Sequence, residues 1–298
     1  MKQKILVIGA TGFIGQHTIR KLLDADHTIY ATHLPDESLP SKPGTTWIPC
    51  DLARTDITKN WPEEIESVIY LAQSQTWRSF PDGAVNTYKV NVEAVFQAVE
   101  YSRKIGVHRF IYTSTGSLYG QKIKPAEEGD LINLSNLYRF YDTTKLAAEL
   151  LLGPYSLFLP VIIMRLFMPY GRGLHPDILL SQLVQRVQSG RPISLHGNDG
   201  MSTNPVAIAD VVEALERCLN LEKSAMFNVA GPEILTLRHI GEQIGHVLGK
   251  EVFFEVDPLC TPPVIVGKTE LIQTVLGWKP QIRFEAGVRA WLSNPEVS

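Results

Sequence analysis

A tyrosine and a lysine four residues apart, Tyr141 and Lys145, are the side chains whose types and spacing most directly suggest chemistry. On a helix this spacing places both side chains on one face. A tyrosine hydroxyl has a pKa near 10, and a neighbouring ammonium group lowers that pKa because it favours the phenolate. The pair could therefore give and take a proton at neutral pH. With 10 tyrosines in 298 residues, the spacing alone is weak evidence, and its context decides its value.

A hydroxyl-rich segment provides part of that context. Thr113-Ser114-Thr115 ends a predicted strand upstream of the tyrosine. Ligands of parallel sheets bind at the carboxyl ends of the strands, so the Thr115 hydroxyl is placed to hydrogen-bond a substrate oxygen.

Three glycines after the first predicted strand, Gly9, Gly12 and Gly15, have a spacing suited to phosphate binding. Glycine lacks a Cβ, so the chain can turn tightly and its backbone can approach a diphosphate. The following helix offers free N–H groups and a partial positive charge to the phosphates. The loop predicts a bound dinucleotide, contacted also by the intervening residues Thr11, Phe13 and Ile14.

The second predicted strand ends without an acidic residue. An aspartate or glutamate there would accept hydrogen bonds from the adenosine ribose of NAD, but the sequence is Thr32-His33-Leu34. His33 could donate to the 2′-phosphate of NADP, particularly when protonated. We therefore predict NAD or NADP as cofactor, with His33 favouring NADP. A surface histidine without a role is the alternative.

Strand and helix alternate through the first half of the chain, and these elements must position the groups above. Short apolar runs predict six strands, over residues 4–8, 28–32, 46–49, 67–71, 109–113 and 161–166. Helical spacing predicts long helices over residues 86–104 and 137–152. Such alternation predicts an α/β fold, a Rossmann-type doubly wound parallel sheet with right-handed crossovers.

The pattern changes after Gly171, where glycine, proline and histidine become frequent. We predict a smaller C-terminal substrate-binding lobe over residues 171–206 and 232–298. The dinucleotide-binding domain is predicted over residues 1–170, and residues 207–231 return to it with a strand at 225–229.

Composition excludes several classes of function. The net charge of −3 provides no basic field for nucleic acid. Three scattered cysteines without CxxC spacing predict neither a disulfide framework nor a metal site. No apolar run approaches the roughly 18 residues of a membrane span. The first strand begins at Lys4, which leaves no room for a signal peptide. We expect a cytoplasmic protein with no membrane contact and no metal.

Together these features resemble the extended short-chain dehydrogenases/reductases, the NAD-dependent epimerase/dehydratase family. UDP-galactose epimerase and the deoxysugar dehydratases and reductases belong to this family, and the resemblance covers nearly the whole chain. It implies that Thr115 is the catalytic Ser/Thr, Tyr141 the acid/base and Lys145 its partner. Tyr141 would move the proton while the nicotinamide carries hydride.

The resemblance also implies binding roles for other segments. Asp51-Leu52 resembles the pair that meets the adenine, and Leu71-Ala72-Gln73 the segment beside the diphosphate and ribose. Asn91 resembles a structural asparagine. Residues 164–171, which include Phe167, resemble the segment that passes the nicotinamide, and residues 276–280 resemble a C-terminal signature.

Two departures from the family pattern bear on the substrate. Met168 stands where members usually have an asparagine that helps to bind a sugar-nucleotide diphosphate. Thr203 stands where many members have an arginine for the same group, which removes a strong charge-assisted contact. Arg172 or Arg191 could substitute. Asn204 could hydrogen-bond substrate or serve as a turn residue.

A polar–aromatic loop over residues 73–77 could hold a sugar by hydrogen bonds and ring stacking. A capped surface loop with a packed tryptophan is the alternative. The substrate-binding residues predicted across the chain are Gln75, Trp77, Thr115, Met168 and Asn204.

Three functions follow as alternatives. The first is an oxidoreductase or epimerase acting on a carbonyl or hydroxyl carbon of a sugar, with a nucleotide-linked sugar favoured. The second is an NADPH-dependent reductase of a non-nucleotide ketone, which the missing arginine favours. The third is a non-catalytic cofactor-binding protein. A dehydratase is disfavoured because Gly116 and Ser117 follow Thr115, where those enzymes place an acidic pair. The resemblance also implies a homodimer in which the two long helices pair across a two-fold axis.

Overall fold

A sheet of seven parallel strands organises the computed structural model, which describes residues 2–37, 39, 44–122, 124–137 and 139–293. Its strands are β1 (Lys4–Ile8), β2 (Thr28–His33), β3 (Thr45–Pro49), β4 (Ser67–Tyr70), β5 (Arg109–Thr115), β6 (Val161–Leu166) and β11 (Ala225–Val229). The strand order is β3-β2-β1-β4-β5-β6-β11. The order reverses at β1, as in a doubly wound sheet, and the predicted Rossmann-type α/β fold is confirmed.

The strand register brings several strand ends to one edge of the sheet. Ile8 of β1 lies opposite Tyr70 of β4, and Tyr70 lies opposite Tyr112 of β5. The carboxyl ends of these strands therefore adjoin, and the segments that follow them lie side by side.

The first compact unit comprises Met1–Leu118, Asn133–Arg165 and Val212–Phe227. Its helices are α1 (Phe13–Asp24), α2 (Ala84–Tyr88), α3 (Ala94–Ile105) and α4 (Phe140–Leu152), with the C-terminal part of α6 (Ile208–Cys218). Val95 and Val99 of α3 and Ala148 of α4 pack with Tyr70 and Phe110 of the sheet in one apolar core. Burial of these faces positions the helix starts at the carboxyl edge of the sheet.

Several element boundaries differ from the sequence predictions. Strand β5 continues to Thr115, where the prediction ended at residue 113. Helix α4 begins at Phe140 because Arg139 is extended, with φ −93° and ψ 128°, and residues 134–136 form a separate 3₁₀ turn. Tyr138, inside the predicted helix, lies outside the described residues.

The predicted helix over 86–104 is interrupted by a π-helical turn, Lys89–Glu93, between α2 and α3. Asn91 in this turn is fully buried. Its amide donates to Thr144 Oγ1 (3.0 Å) and accepts from the Ser74 N–H (3.1 Å). These two bonds tie α4 and the loop after β4 to the turn, a structural role for Asn91.

The second compact unit comprises Tyr119–Ile132, Leu166–Val211 and Asn228–Ser298. It holds short strands in three small sheets: β7 (Pro169–Tyr170) with β10 (Val206–Ala207); β12 (Leu235–Thr236), β9 (Ser202–Thr203) and β14 (Val264–Ile265); and β13 (Phe254–Asp257) with β8 (Ile193–His196). Its remaining helices are α5 (Leu179–Gln188), α7 (Leu237–Leu248), α8 (Glu270–Leu276) and α9 (Phe284–Leu292). The domain limits predicted at residues 1 and 298 lie outside the described residues, and the substrate role of this region stays a prediction.

The C-terminal signature has a structural part in the second unit. Trp278 is fully buried, and its Nε1 donates to the Asp210 carbonyl oxygen at 3.1 Å. The Asp210 carboxylate accepts from the N–H groups of Gln281 and Ile282. The signature therefore fastens the segment before α9 to α6.

Across the described residues, the structure contains no helix that is both long enough and apolar enough for a membrane crossing.

Candidate active site

The glycine loop between β1 and α1 is closed so tightly that side chains would not fit. Gly9 has φ +84°, and a Cβ there would lie 2.6 Å from the N and Cα atoms of Ala72. A Cβ on Gly15 would overlap the carbonyl oxygen of Gly9. Gly12 caps α1, and its N–H donates to Gly9 O at 3.2 Å. The first turn of α1 carries no acidic residue, so the free N–H groups there can meet an anionic diphosphate.

The start of α1 is flanked by the three other residues predicted to contact the cofactor. Thr11, Phe13 and Ile14 are all partly exposed around the helix N-terminus. The structure therefore brings them together with the glycine loop.

Gln73 lies two residues after Leu71, at the carboxyl end of β4, and its amide is unusual. Both Nε2 and Oε1 are buried, and neither has a hydrogen-bond partner. Leaving a buried amide unpaired costs about 1–3 kcal/mol. Gln73 follows Ala72, the residue that the Gly9 backbone approaches. A polar ligand in the glycine loop would be next to this amide.

The residues predicted around the adenosine have mixed surroundings. Leu52 is buried, and the Asp51 carboxylate accepts from the Ala53 N–H at 3.0 Å and from Arg54 Nε at 3.2 Å. Asp51 thus shapes the turn after β3. The alternative that His33 is a surface residue is wrong, because its side chain is buried at the end of β2.

The His33 ring is held by two neighbours. Its Nδ1 lies 2.8 Å from the Leu34 carbonyl oxygen, and its ring packs edge-on against Trp47 with 6.0 Å between centroids. One of its two ring nitrogens is therefore engaged by the backbone.

Thr115, Tyr141 and Lys145 converge at the carboxyl end of β5. Thr115 is the last residue of that strand, and its hydroxyl is among the groups that act on the pKa of Tyr141, in the first turn of α4. Lys145 follows one turn later and is buried. Its Nζ donates to the Thr113 carbonyl oxygen at 3.0 Å and lies 4.9 Å from the centroid of the Tyr112 ring.

The expectation that Lys145 lowers the pKa of Tyr141 is wrong for the protein alone. Burial and, to a smaller extent, the negative charge of Asp142 raise the pKa of Tyr141 to about 12. Burial also lowers the pKa of Lys145 to about 8. The lysine ammonium donates to the backbone of β5, and Tyr141 therefore keeps its proton at neutral pH.

A buried carboxylate that the sequence did not predict lies beside Tyr141. Asp142 is 3% exposed and accepts two hydrogen bonds from Arg139, at 2.7 and 3.1 Å. It also accepts from Ser117 Oγ at 2.6 Å, and Ser117 Oγ lies 2.8 Å from Thr115 Oγ1. The only sign of it in the sequence is that Arg139 precedes Asp142 by three residues. Inside a helix that begins at residue 137, this spacing is that of an ordinary surface ion pair.

The loop after β4 brings an aromatic ring to the acid–base candidate. The ring centroids of Trp77 and Tyr141 are 4.7 Å apart, with the planes tilted by 45°. The Arg78 guanidinium lies 4.5 Å from the centroid of the Trp77 ring. Gln75 is exposed. The packed tryptophan of our alternative is thus present, and substrate roles for Trp77 and Gln75 stay predictions.

Within the second unit, the residues after β6 are constrained by packing. Phe167 is buried and stacks on Tyr119 with 6.2 Å between ring centroids, and Gly267 is close enough that a Cβ would overlap the Phe167 ring. Met168 has φ +45°, a conformation that asparagine tolerates far better than methionine.

The structure gives Asn204 a backbone-holding role. Its Nδ2 donates to the Gly267 carbonyl oxygen at 2.8 Å, and its Oδ1 accepts from the Gly267 N–H at 3.1 Å. Asn204 is 4% exposed. Its amide is therefore used by the protein, and a substrate contact of Asn204 stays a prediction. The neighbouring Thr203 is also buried, in β9.

The first unit fits a nicotinamide dinucleotide by its own geometry. The glycine loop forms a cradle that a Cβ would fill, and the Gln73 amide offers an unpaired donor and acceptor beside it. Among the residues that the structure describes, no cluster of three or more His, Cys, Asp or Glu side chains could hold a metal ion.

Comparisons with known proteins identify the family. The family model described as "Epimerase: NAD dependent epimerase/dehydratase family" matches residues 5–230. Protein CapI of Staphylococcus aureus is 25% identical over an alignment 327 residues long, gaps included, that covers 97% of each chain. The Bacillus subtilis protein named "Uncharacterized UDP-glucose epimerase YtcB" is 28% identical over 268 residues, which cover 83% of each chain.

Solved structures share the fold. UDP-glucuronic acid 4-epimerase from Bacillus cereus, in complex with UDP-glucuronic acid and NAD, matches with a TM-score of 0.84 at 24% identity over 97% of each chain. UDP-glucose 4-epimerase from Thermotoga maritima, with UDP-glucose, matches with a TM-score of 0.86 at 20% identity over 97% of each chain. The family model covers most of the sheet and the whole candidate site of the first unit. The chain is an enzyme that belongs to the NAD dependent epimerase/dehydratase family.

Proposed function

We propose that the protein is an NAD-dependent epimerase or oxidoreductase acting on a carbonyl or hydroxyl carbon of a nucleotide-linked sugar. The observation that carries this proposal is the convergence of Thr115, Tyr141 and Lys145 at the end of β5. UDP-sugars are the proposed substrate class, because the Bacillus cereus and Thermotoga maritima structures hold UDP-glucuronic acid and UDP-glucose.

The proposed cofactor is NAD. The Bacillus cereus structure holds NAD, and the earlier preference for NADP lacks support because one nitrogen of the buried His33 ring is engaged by the backbone. The proposed cofactor contacts come from the glycine loop and the start of α1, the segments after β2, β3 and β4, helix α4 and the segment after β6: Gly9, Thr11, Gly12, Phe13, Ile14, His33, Asp51, Leu52, Leu71, Ala72, Gln73, Tyr141, Lys145 and Phe167.

In this proposal the chain's own residues move the proton. A bound nicotinamide supplies hydride chemistry. Tyr141 exchanges a proton with the substrate oxygen, and Thr115 holds that oxygen in place. Lys145, whose pKa is lowered to about 8 by burial, fixes the α4 side of the site through its bond to Thr113. Substrate contacts by Trp77, Gln75 and Met168, and a substrate-binding role for the second unit, are part of the proposal.

A second candidate is the reduction of a non-nucleotide ketone. Thr203 occupies the position where related enzymes carry a diphosphate-binding arginine, and it is 1% exposed in β9. A buried threonine cannot supply the fork of donors that binds a diphosphate. This observation favours a substrate without a nucleotide.

A homodimer remains part of the proposal. Helices α2 and α3 expose Val85, Tyr88 and Phe96, and α4 exposes Leu150, at 45–68% of their surface. A pairing of these helices across a two-fold axis would cover this apolar surface. Light scattering at micromolar concentration should give twice the chain mass, and a monomer would contradict the dimer.

The function can be tested by product analysis. The protein is incubated with NAD and a panel of UDP-sugars, and in parallel with NADPH and free ketones, and the products are identified by NMR. We expect a UDP-sugar to interconvert with an isomer without net formation of NADH. Reduction of a free ketone with consumption of NADPH, and no change in any UDP-sugar, would replace the proposal with the second candidate.

A further inference from the structure

A chain of hydrogen bonds leads from Thr115 to an ion pair whose carboxylate is buried. Thr115 Oγ1 lies 2.8 Å from Ser117 Oγ, which lies 2.6 Å from Asp142 Oδ1. Arg139 binds the same carboxylate through two nitrogens. Asp142 lies in the first turn of α4, where the helix dipole favours a negative charge. The chemistry proposed above makes no use of this carboxylate.

The ion pair fixes the direction of every bond in the chain. A carboxylate paired with arginine is ionised and can only accept, so the Ser117 hydroxyl donates to Asp142. Ser117 has a single hydroxyl proton, so Thr115 must donate its own proton to Ser117 Oγ. The Ser117 N–H also donates to Thr115 Oγ1, at 3.2 Å. Thr115 is left with one lone pair, which can accept from the Tyr141 hydroxyl.

We propose that Ser117 and Asp142 form a proton relay that takes up the Tyr141 proton when a substrate alcohol is oxidised. This relay rests on the proposed function, since it needs a substrate oxygen at Tyr141. Thr115 and Tyr141 would touch the reacting oxygen. Ser117 and Asp142 act through them and are positioning and proton-holding residues.

Every proton and electron pair that moves in the relay is accounted for. The substrate O–H bond breaks, and its proton bonds to the Tyr141 oxygen while the Tyr141 proton passes to Thr115. The Thr115 proton passes to Ser117 and the Ser117 proton to Asp142, which becomes neutral. The electron pair of the substrate C–H bond leaves with its hydrogen as hydride to NAD⁺. Reduction of the carbonyl reverses each transfer, so the proton returns to the sugar within one epimerisation.

The relay accounts for the unfavourable ionisation of Tyr141. With a pKa raised to about 12 by burial and then by Asp142, this phenol is rarely ionised at neutral pH. In the relay it gains one proton as it loses another, so no phenolate has to accumulate. Arg139 can give up its partner because its side chain is 59% exposed and remains hydrated.

The surroundings of Tyr141 leave Asp142 as the carboxylate that acts on it. The titratable and charged groups that face Tyr141 are Arg139 just before α4, Asp142 and Lys145 on α4, Tyr112 on β5 and, across the Trp77 ring, Arg78. Lys145 donates to the backbone of β5, and Tyr112 is fully buried. Removal of the Asp142 charge should therefore change the titration of Tyr141.

The first test uses protein without cofactor or substrate. The ¹³Cζ resonance of Tyr141 is identified by its loss in Tyr141→Phe and is followed against pH by NMR. Asp142→Asn removes the carboxylate charge that fixes the direction of the bonds from Thr115 to Ser117 and from Ser117 to residue 142. Ser117→Ala keeps the ion pair between Arg139 and Asp142, but it leaves the Thr115 hydroxyl free to donate to the Tyr141 phenolate. We expect Tyr141 to titrate about one pH unit or more lower in Asp142→Asn, and lower by less in Ser117→Ala. Unchanged titration in both variants would overturn the relay.

The second test uses turnover of the NAD-loaded enzyme. Ser117→Ala should lower kcat by about 10²-fold, and Ser117→Thr, which keeps the hydroxyl, should recover most of it. Asp24→Asn removes the charge of an exposed aspartate at the end of α1 and is the control for the charge lost in Asp142→Asn. It should leave kcat unchanged.

The outcomes separate the relay from the proposed function. Near-normal kcat in Ser117→Ala, or a loss that Ser117→Thr does not recover, would overturn the relay while leaving the function intact. An inactive wild-type enzyme on every sugar, with the Tyr141 titration shifted as expected, would reject the proposed function while the coupling of Asp142 to Tyr141 stands.

Discussion

The polar side chains in the two compact units are used differently. In the first unit, the Gln73 amide at the end of β4 has no partner, and Tyr141 is only partly buried at the end of β5. In the second unit, Asn204 uses both amide atoms on the Gly267 backbone, and Thr203 is buried in a strand. Gln73 and Tyr141 are therefore available to a ligand, whereas the Asn204 amide holds its own chain. The side chains of the first unit therefore carry the proposed cofactor chemistry.

The largest effect is expected for Gly9→Ala in the first unit. A Cβ at φ +84° and 2.6 Å from the Ala72 backbone should lower the free energy of unfolding by roughly 3 kcal/mol and abolish NAD binding. Denaturant unfolding and calorimetric titration measure the two effects. Gly106→Ala is the matched control, with φ +75° but nothing within 4 Å of a Cβ. It should cost about 1 kcal/mol and keep NAD affinity, and equal effects of the two variants would contradict the tight-loop account.

The next effect is expected for Asn204→Ala in the second unit. Two buried bonds to Gly267 are lost, so the free energy of unfolding should fall by about 2–3 kcal/mol. Asn133→Ala, which removes one exposed cap bond to Ser135, should cost about 1 kcal/mol or less. If Asn204→Ala keeps its stability but has a raised KM, Asn204 binds substrate, and the contrast drawn between the two units is wrong.

A smaller effect of opposite sign is expected for Gln73→Leu. Because the Gln73 amide is buried without partners, an apolar side chain of similar volume should stabilise the protein without cofactor by about 1 kcal/mol. The same change should weaken NAD binding about tenfold, or about 1.4 kcal/mol. Gln188→Leu, on an exposed helix end, should change neither quantity by more than about 0.5 kcal/mol. Destabilisation by Gln73→Leu with unchanged NAD affinity would remove Gln73 from the cofactor site.

The smallest effect concerns Met168. At φ +45° an asparagine is less strained than other non-glycine residues, so Met168→Asn should be more stable than Met168→Ala by about 1 kcal/mol. Comparing these two variants cancels the loss of the methionine side chain from its apolar neighbours. Equal unfolding midpoints would show that the backbone at this position carries no strain.

The features that the sequence predicted are local ones. The spacing of Gly9, Gly12 and Gly15 after an apolar run specifies a loop in which a Cβ cannot fit, and the structure has that loop. The four-residue spacing of Tyr141 and Lys145 places them on adjacent turns of α4 whether the helix begins at 137 or at 140.

The features that the sequence did not predict depend on contacts between residues far apart in the chain. The direction of the Lys145 ammonium depends on a carbonyl of β5, 32 residues away in the chain. The partner of Asn204 is a glycine 63 residues away. The burial of Asp142 requires Ser117, 25 residues upstream. Periodicity cannot report such pairings, because they arise only when the elements pack.

The central claim is that Tyr141 moves the proton. Turnover of Tyr141→Phe is compared with that of the wild type and of Tyr155→Phe, which removes a hydroxyl that donates to Glu100 at 3.0 Å and has no part in the proposed site. We expect Tyr141→Phe to lose about 10²-fold or more of kcat with NAD affinity retained, and Tyr155→Phe to lose none. Near-normal turnover of Tyr141→Phe would contradict the account.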